Sequence, residues 1–152
     1  MISGMDYVDK HSVTIRCRRP ITSQEMFEMI FSNYPPSVKF LFGLRNRLAT
    51  LFGLKSSEGF HNYISEQTSS HTRINKDDKH LSVSIMLECG DWTEGCQLVS
   101  LATSVKFHNQ MGKIYFLLIK RVHGLLCRMA LNRVVKAVKT TEEKINGSNE
   151  NS

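Results

Sequence analysis

Apolar and polar residues alternate along several stretches of the chain, and this period of two predicts β-strands. In residues 81–89 apolar side chains stand at every second position, namely Leu81, Val83, Ile85, Leu87 and Cys89, and only Met86 breaks the alternation. Residues 96–108 show the same preference for odd-numbered apolar positions. Shorter alternating stretches at residues 7–17, 62–68 and 71–75 predict further strands.

The two longest strands are predicted to form a hairpin whose turn lies in residues 90–95. Odd positions must pair with odd positions, because only then do the apolar residues of both strands share one face. This register is predicted to place Cys89 opposite Gln97. A cross-strand disulfide between Cys89 and Cys96 is therefore not expected unless a bulge shifts the pairing.

Two short helices are predicted between the first strand and the rest of the sheet. Thr22 and Glu25 have the spacing of a capping box, which marks the start of the first helix. The prolines at residues 35–36 are expected to end it. A second helix is predicted to begin after an N-cap at Ser37 and to end at Gly53.

The last predicted element is a helix over residues 111–139, roughly 28 residues or about 42 Å at 1.5 Å per residue. Its predicted apolar stripe consists of Ile114, Tyr115, Leu118, Val122, Leu125, Leu126, Met129, Val134 and Val138. A helix of this length with one apolar stripe is expected to lie across a broad sheet. We expect Leu118 and Leu126 to approach Ile85 and Leu101.

Helices and strands are thus segregated along the chain, which predicts an α+β fold. The expected architecture is a curved antiparallel sheet that grips a long C-terminal helix, with two short helices after the first strand. Residues 1–139 are expected to form one domain, and residues 140–152 a flexible polar tail. Incomplete packing between sheet and helix would leave a cavity.

Composition excludes several classes of protein. Hydrophobic residues make up 41% of the 152 residues, which excludes a disordered or fibrous chain. The cysteines, Cys17, Cys89, Cys96 and Cys127, form no CxxC pair and are expected to be thiols in a reducing compartment. The first ten residues do not resemble a signal peptide, and no apolar run is long enough to span a membrane. A cytoplasmic location is therefore expected.

The chain is basic, since 20 Lys and Arg residues exceed 14 Asp and Glu residues by 6. The positive side chains are spread along the chain, so no specific nucleic-acid partner is expected. The last helix carries many of them, at Lys113, Lys120, Arg121, Arg128, Arg133 and Lys136. This basic face is expected to be solvated, with weak contact to an anionic membrane surface as the alternative. Nothing in the sequence indicates an oligomeric state.

Three stretches of the chain resemble an uncharacterised bacterial domain family of unknown function in the START-like helix-grip (SRPBCC) superfamily. The matching residues are Asp6-Tyr7-Val8-Asp9, His80-Leu81, His108-Asn109, Gly112, Tyr115 and His123. Arg121-Val122 stands where that family usually has proline and an aromatic residue. The superfamily includes pollen-allergen and lipid-transfer domains. The resemblance implies the helix-grip fold and an apolar cavity, and it implies no specific activity.

The residues predicted to bind a ligand are His108, Asn109, Tyr115, His123, Val83, Ile85, Leu87, Leu101, Val105 and Phe107. The apolar members are either ordinary core or cavity wall, because periodicity does not separate two kinds of buried position. His108 and Asn109 stand at a strand-to-helix junction. Asn109 is alternatively a helix cap, and Gly112 a position of close packing.

We expect a domain that holds an apolar or amphipathic small molecule between the sheet and the last helix. No cofactor is expected, and no metal, because the identities and spacing of Tyr115 and His123 do not suit metal ligands. The first alternative is an enzyme that acts on a polyketide-like or aromatic substrate in the same cavity, through His108 and His123. The second is a module that docks anionic partners on its basic surface.

Overall fold

The computed structural model describes residues 6–32, 36–53 and 63–150, with side chains described as far as residue 140. Within these residues the elements follow one another as β1 (Tyr7–Arg16), α1 (Ser23–Phe31), α2 (Pro36–Leu51), β2 (Ile64–Gln67), β3 (His71–Asp77), β4 (Leu81–Thr93), β5 (Cys96–Phe107) and α3 (Gln110–Glu150). The order of strands and helices agrees with the sequence pattern. No helix in the described part of the chain is long and apolar enough to cross a membrane.

The strands form one antiparallel sheet in the order β1-β5-β4-β3-β2. Odd positions of the neighbouring strands β1 and β5 are buried on the face of the sheet that α3 covers, as at Ile15, Val99 and Leu101. Even positions such as Val8 and Leu98 are exposed on the opposite face. The predicted α+β fold, an antiparallel sheet that grips the C-terminal helix, is confirmed.

Two apolar clusters join the helices to this face of the sheet. The first cluster packs α1 against the strands and the later part of α3, and includes Phe27, Leu87, Val99 and Leu131. The second packs the end of α2 against the sheet and the beginning of α3, and includes Ala49, Val105, Tyr115, Phe116 and Ile119. Helix α3 thus packs on the sheet in two clusters, together with the end of α2 near its beginning and with α1 farther along.

The predicted capping box at the start of α1 is confirmed. Thr22 Oγ1 accepts a hydrogen bond from the Glu25 amide, and the Glu25 carboxylate accepts one from the Thr22 amide, both at 3.2 Å. The Arg19 guanidinium, 2.8 Å from that carboxylate, lowers the pKa of Glu25.

Helix α1 ends at Phe31 and is followed by the extended Ser32, so it ends before the prolines that were predicted to stop it. Residue 35 lies outside the described residues, and Pro36 begins α2.

The boundaries of α2 differ from the prediction at one end. The helix begins at Pro36, so the predicted N-cap Ser37 lies inside its first turn. Proline suits the first helical position, because an amide proton at that position would have no acceptor within the helix and its absence therefore costs no hydrogen bond. Gly53 has φ of 71°, the left-handed conformation predicted for the residue that ends the helix.

From Leu81 to Cys89 strand β4 pairs its odd positions with odd positions of β5 as predicted, but the turn of the hairpin is shorter than predicted. Leu87 faces Leu101, and Cys89 faces Val99 rather than the predicted Gln97. Strand β4 continues through a bulge between Cys89 and Trp92. The turn is then only Glu94 and Gly95, with φ of 53° and 78°, as a two-residue hairpin requires.

Helix α3 is longer than predicted, and its buried face overlaps the predicted stripe only in part, at Tyr115, Val134 and Val138. It continues past residue 139 to Glu150, while the flexibility of residues 140–152 stays a prediction. Leu118 is 56% exposed, so its predicted contact with the sheet is wrong. The buried face consists of Tyr115, Phe116, Ile119, Cys127, Leu131, Val134 and Val138, and the exposed apolar residues are Met111, Ile114, Leu117, Leu118 and Leu125. The helix carries apolar residues on more than one side, so its sequence alone does not fix which side is buried.

Candidate ligand-binding cavity

A cavity of about 150 Å³ lies between the sheet and α3. Its apolar wall is formed on the sheet side by Ile74, Leu81, Val83, Ile85, Leu101 and Val105, and on α3 by Tyr115, Phe116, Ile119, Leu126 and Ala130. Ile30, Phe31, Val38 and Phe42 add side chains from α1 and α2. An apolar protein cavity of about this volume accommodates benzene.

Six of the residues predicted from the sequence line this cavity, namely Val83, Ile85, Leu101, Val105, Tyr115 and His123. Leu126 lines it together with Ile85 and Leu101, as predicted. Leu87 belongs to the packed core instead. Phe107 packs against Phe116, with ring centroids 5.8 Å apart. Neither Leu87 nor Phe107 is part of the cavity wall.

His108 and Asn109 lie outside the cavity, at the junction of β5 and α3. The His108 Nε2 atom is 2.9 Å from both Asp77 Oδ1 and Ser82 Oγ. Asn109 Oδ1 accepts a hydrogen bond from the Gly112 amide at 3.1 Å. The geometry therefore favours the capping role of Asn109 over the predicted contact with a ligand.

A polar cluster forms one part of the cavity wall. Its centre is His123 Nε2, which lies 3.1 Å from Thr103 Oγ1 and 3.5 Å from Cys127 Sγ. The same nitrogen is 3.8 Å from Asp9 Oδ2. His123, Thr103 and Cys127 line the cavity, whereas Asp9 approaches His123 from β1. Thr103, Cys127 and Asp9 are not among the ligand-binding residues predicted from the sequence.

Asp9 is held by other groups on β1. Its Oδ2 atom accepts a hydrogen bond from the Tyr7 hydroxyl at 2.9 Å, and His11 Nε2 lies 3.7 Å away. Burial raises the pKa of Tyr7 to about 12, and Asp9 adds to this shift. The other oxygen, Oδ1, is buried without a hydrogen-bond partner in the described part of the chain.

The electrostatics of the cluster do not favour a cysteine nucleophile. Burial raises the pKa of the Cys127 thiol to about 12, and the Asp9 carboxylate adds to the effect, so the thiol stays protonated at neutral pH. A Cys-His-Asp relay also needs its two partners on opposite ring nitrogens. Here Cys127 and Asp9 both face Nε2 of His123.

Burial lowers the pKa of His123 below its ordinary value of 6.5, with Asp9 opposing this shift and His11 adding to it. Below about pH 6.5 the unfolded chain therefore binds more protons at this site than the folded chain. We expect the free energy of unfolding to decrease as the pH falls from 7.5 to 5, by no more than about 1.4 kcal/mol per pH unit from this residue.

Urea unfolding at several pH values checks this expectation. His123→Gln removes the titrating group and should flatten the decrease, whereas Thr103→Val removes only the neighbouring hydroxyl and should keep it. Equal pH slopes in the parent protein and His123→Gln would contradict the assignment.

Tyr115 and three cations form another part of the wall. Tyr115 is 2% exposed, and its hydroxyl is buried with no hydrogen-bond partner among the described residues. Its ring and that of Phe52 form an edge-to-face pair with centroids 5.5 Å apart, and the Arg45 guanidinium lies 5.9 Å from the centre of the Tyr115 ring. Arg45, Lys76 and Arg133 all line the cavity.

Residues 1–130 match the family described as "Protein of unknown function (DUF2867)". The chain belongs to this family. The predicted membership in an uncharacterised family is thus confirmed. The region that matches DUF2867 contains every residue of the cavity wall except Arg133. No curated protein matches the chain.

Several solved structures are similar to this DUF2867 chain at low identity. A conserved protein from Geobacillus kaustophilus has a TM-score of 0.46 and 12% identity, with 89% of this chain and 97% of that chain covered. A START superfamily protein from Mycobacterium smegmatis has a TM-score of 0.39 and 6% identity, with 88% of this chain and 98% of that chain covered. The Zhui aromatase/cyclase from Streptomyces sp. R1128 has a TM-score of 0.34 and 10% identity, with 84% of this chain and 95% of that chain covered.

Proposed function

We propose that this DUF2867 domain binds a small apolar or amphipathic molecule in the cavity between the sheet and α3. The observation that carries the proposal is the cavity of about 150 Å³, whose wall is largely aliphatic and aromatic. Protein interiors pack as densely as organic crystals and contain few voids larger than a water molecule. A cavity of this size with a largely apolar wall is therefore a candidate ligand site.

The apolar wall offers a ligand contacts that would stabilise the folded state. Net stabilities of single domains are only about 5–15 kcal/mol, so a ligand that binds only the folded state would raise the stability measurably, by mass action.

The distribution of polar groups supports an amphipathic ligand. Ligand sites are typically apolar with a few placed polar groups that set orientation. Here Thr103 and His123 supply such groups at one part of the wall, and Tyr115 supplies another. Apolar area provides the affinity, at about 25 cal/mol per Å² removed from water, and the polar groups orient the ligand.

Filling the cavity tests the proposal. We expect toluene and indole to bind the parent protein in calorimetry and to raise its melting temperature. Val83→Phe places a ring in the cavity wall and should weaken binding of both probes at least tenfold. Val8→Phe makes the same change on the exposed face of the sheet and should leave binding unchanged.

Two results would contradict the proposal. The first is absence of binding to the parent protein by both probes. The second is equal weakening by Val83→Phe and Val8→Phe, since the probes would then bind elsewhere. Circular dichroism of both variants confirms that each remains folded.

A further inference from the structure

The Tyr115 hydroxyl is a buried polar group without a hydrogen-bond partner in the described part of the chain. Tyr115 is almost completely buried, and it lines the cavity. Buried hydroxyl groups are normally hydrogen-bonded, because an unpaired one has lost its bonds to water without replacing them. A ligand in the cavity that brings a polar atom to Tyr115 would supply the missing partner.

The ring of Tyr115 is held in place by its packing. It forms an edge-to-face pair with Phe52, and it belongs to the apolar cluster that joins the beginning of α3 to Leu81 and Val105 on the sheet. The hydroxyl oxygen lies in the plane of the ring and moves only with it. Its position is therefore set before a ligand binds, which lowers the entropic cost of forming a hydrogen bond.

The other uncharged polar side chains of the wall contact one another. His123 Nε2 lies 3.1 Å from Thr103 Oγ1 and 3.5 Å from Cys127 Sγ. Of the residues that line the cavity, Tyr115 is the one with a buried oxygen or nitrogen atom left unpaired within the described residues. The polar end of a ligand is therefore expected at Tyr115 rather than at His123.

The chemistry of the hydroxyl favours a neutral acceptor without a proton of its own. Burial raises the pKa of Tyr115, which Arg45 opposes and Asp78 reinforces, so the hydroxyl stays protonated at neutral pH and is a donor. A carbonyl oxygen accepts this proton and leaves no donor unpaired. A ligand hydroxyl would bring a second donor that needs a further acceptor, and an ionised group costs more to remove from water.

We infer that the cavity selects small neutral carbonyl compounds, whose oxygen accepts a hydrogen bond from Tyr115. The apolar body of the ligand contacts the aliphatic and aromatic wall between the sheet and α3. This inference rests on the proposed function and specifies its ligand class.

Acetophenone and α-methylstyrene test the inference, because they have nearly the same shape and differ in a carbonyl oxygen against a methylene group. A carbonyl costs more to remove from water, so the informative quantity is how each affinity changes in Tyr115→Phe, which removes only the hydroxyl. In calorimetry at pH 7.5, we expect this variant to bind acetophenone about tenfold more weakly than the parent protein, because the buried carbonyl loses its partner. Its affinity for α-methylstyrene should change by no more than about twofold.

Tyr63→Phe is the matched control for binding. It removes the same atom from a tyrosine that does not line the cavity. Both affinities should stay within about twofold of those of the parent protein. This control separates a local contact with the ligand from a general effect of losing a tyrosine hydroxyl.

Melting temperatures without ligand provide a second measurement. Tyr115→Phe loses no hydrogen bond to a described residue, so we expect it to melt at the temperature of the parent protein or above it. Tyr7→Phe loses the hydrogen bond to Asp9 and should melt at a lower temperature. Equal destabilisation by Tyr115→Phe and Tyr7→Phe would show that the Tyr115 hydroxyl already has a partner, and would overturn the inference.

The outcomes distinguish this inference from the proposed function. If toluene and α-methylstyrene bind but acetophenone does not, the cavity is a ligand site and the selection of carbonyl compounds is wrong. The selection is also wrong if Tyr115→Phe weakens the binding of acetophenone no more than that of α-methylstyrene, or no more than Tyr63→Phe does. If none of the three probes binds, the proposed function itself is overturned.

Discussion

Gly112→Ala is expected to destabilise the domain by about 2–3 kcal/mol, although alanine is the better helix former. Gly112 lies in the first turn of α3 and packs against the backbone of His80. A Cβ atom at this position would lie 2.0 Å from the His80 carbonyl oxygen and 2.9 Å from its carbonyl carbon. The same oxygen accepts a hydrogen bond from the His108 amide at 2.9 Å, so it is not free to move away.

Gly124→Ala provides the matched control within the same helix. A Cβ atom at Gly124 would meet nothing within 4 Å. Helix propensity then acts alone, and we expect this variant to be about 0.5–1 kcal/mol more stable than the parent. Urea unfolding of the two variants measures both effects. A stabilised Gly112→Ala protein would show that α3 does not approach His80 as closely as the structure has it.

Gln97→Met is expected to destabilise the domain by about 2–4 kcal/mol. The substitution keeps the volume of the side chain but removes two buried hydrogen bonds and a third that is partly buried. Gln97 is 3% exposed. Its Oε1 atom accepts from the Ile21 amide at 2.9 Å, and its Nε2 atom donates to the Ile21 carbonyl at 3.1 Å. Nε2 also donates to the Gly90 carbonyl at 3.0 Å.

Methionine has nearly the length of glutamine but makes no comparable hydrogen bond, so the Ile21 amide and carbonyl would be left buried and unsatisfied, and the Gly90 carbonyl would lose this partner. Gln24→Met is the control, because Gln24 is exposed on α1 and its replacement should change stability by no more than about 0.5 kcal/mol. Urea unfolding checks both values. Equal stabilities of Gln97→Met and Gln24→Met would contradict the bridging role of Gln97.

The same region shows why the sequence predicted the sheet but not its details. Alternation established that odd positions pair with odd positions, because a shift by one residue would turn apolar side chains to the other face. A shift of the pairing by two residues preserves this pattern. The predicted partner of Cys89, Gln97, therefore lies two residues from the actual partner, Val99. The bulge before Trp92 adds a residue to one strand and has no signal in the alternation.

The candidate site was predictable only where a single element carries it. Tyr115 and His123 were found because helical spacing places them on nearly the same side of α3. Asp9 and Thr103 were missed, since their proximity to His123 depends on how β1 and β5 pair beneath the helix. Val83 and Leu87 alternate alike, yet only Val83 lines the cavity. That difference depends on where α3 contacts the sheet.

The most direct test of the proposed function is to locate a bound ligand relative to the buried and the exposed apolar residues of α3. Intermolecular nuclear Overhauser effects between toluene and side-chain methyl groups measure this location. Binding between sheet and helix predicts effects to Val83, Ile85 and Ile119, which line the cavity. Effects confined to Leu117 and Leu118 on the exposed side of α3 would contradict it.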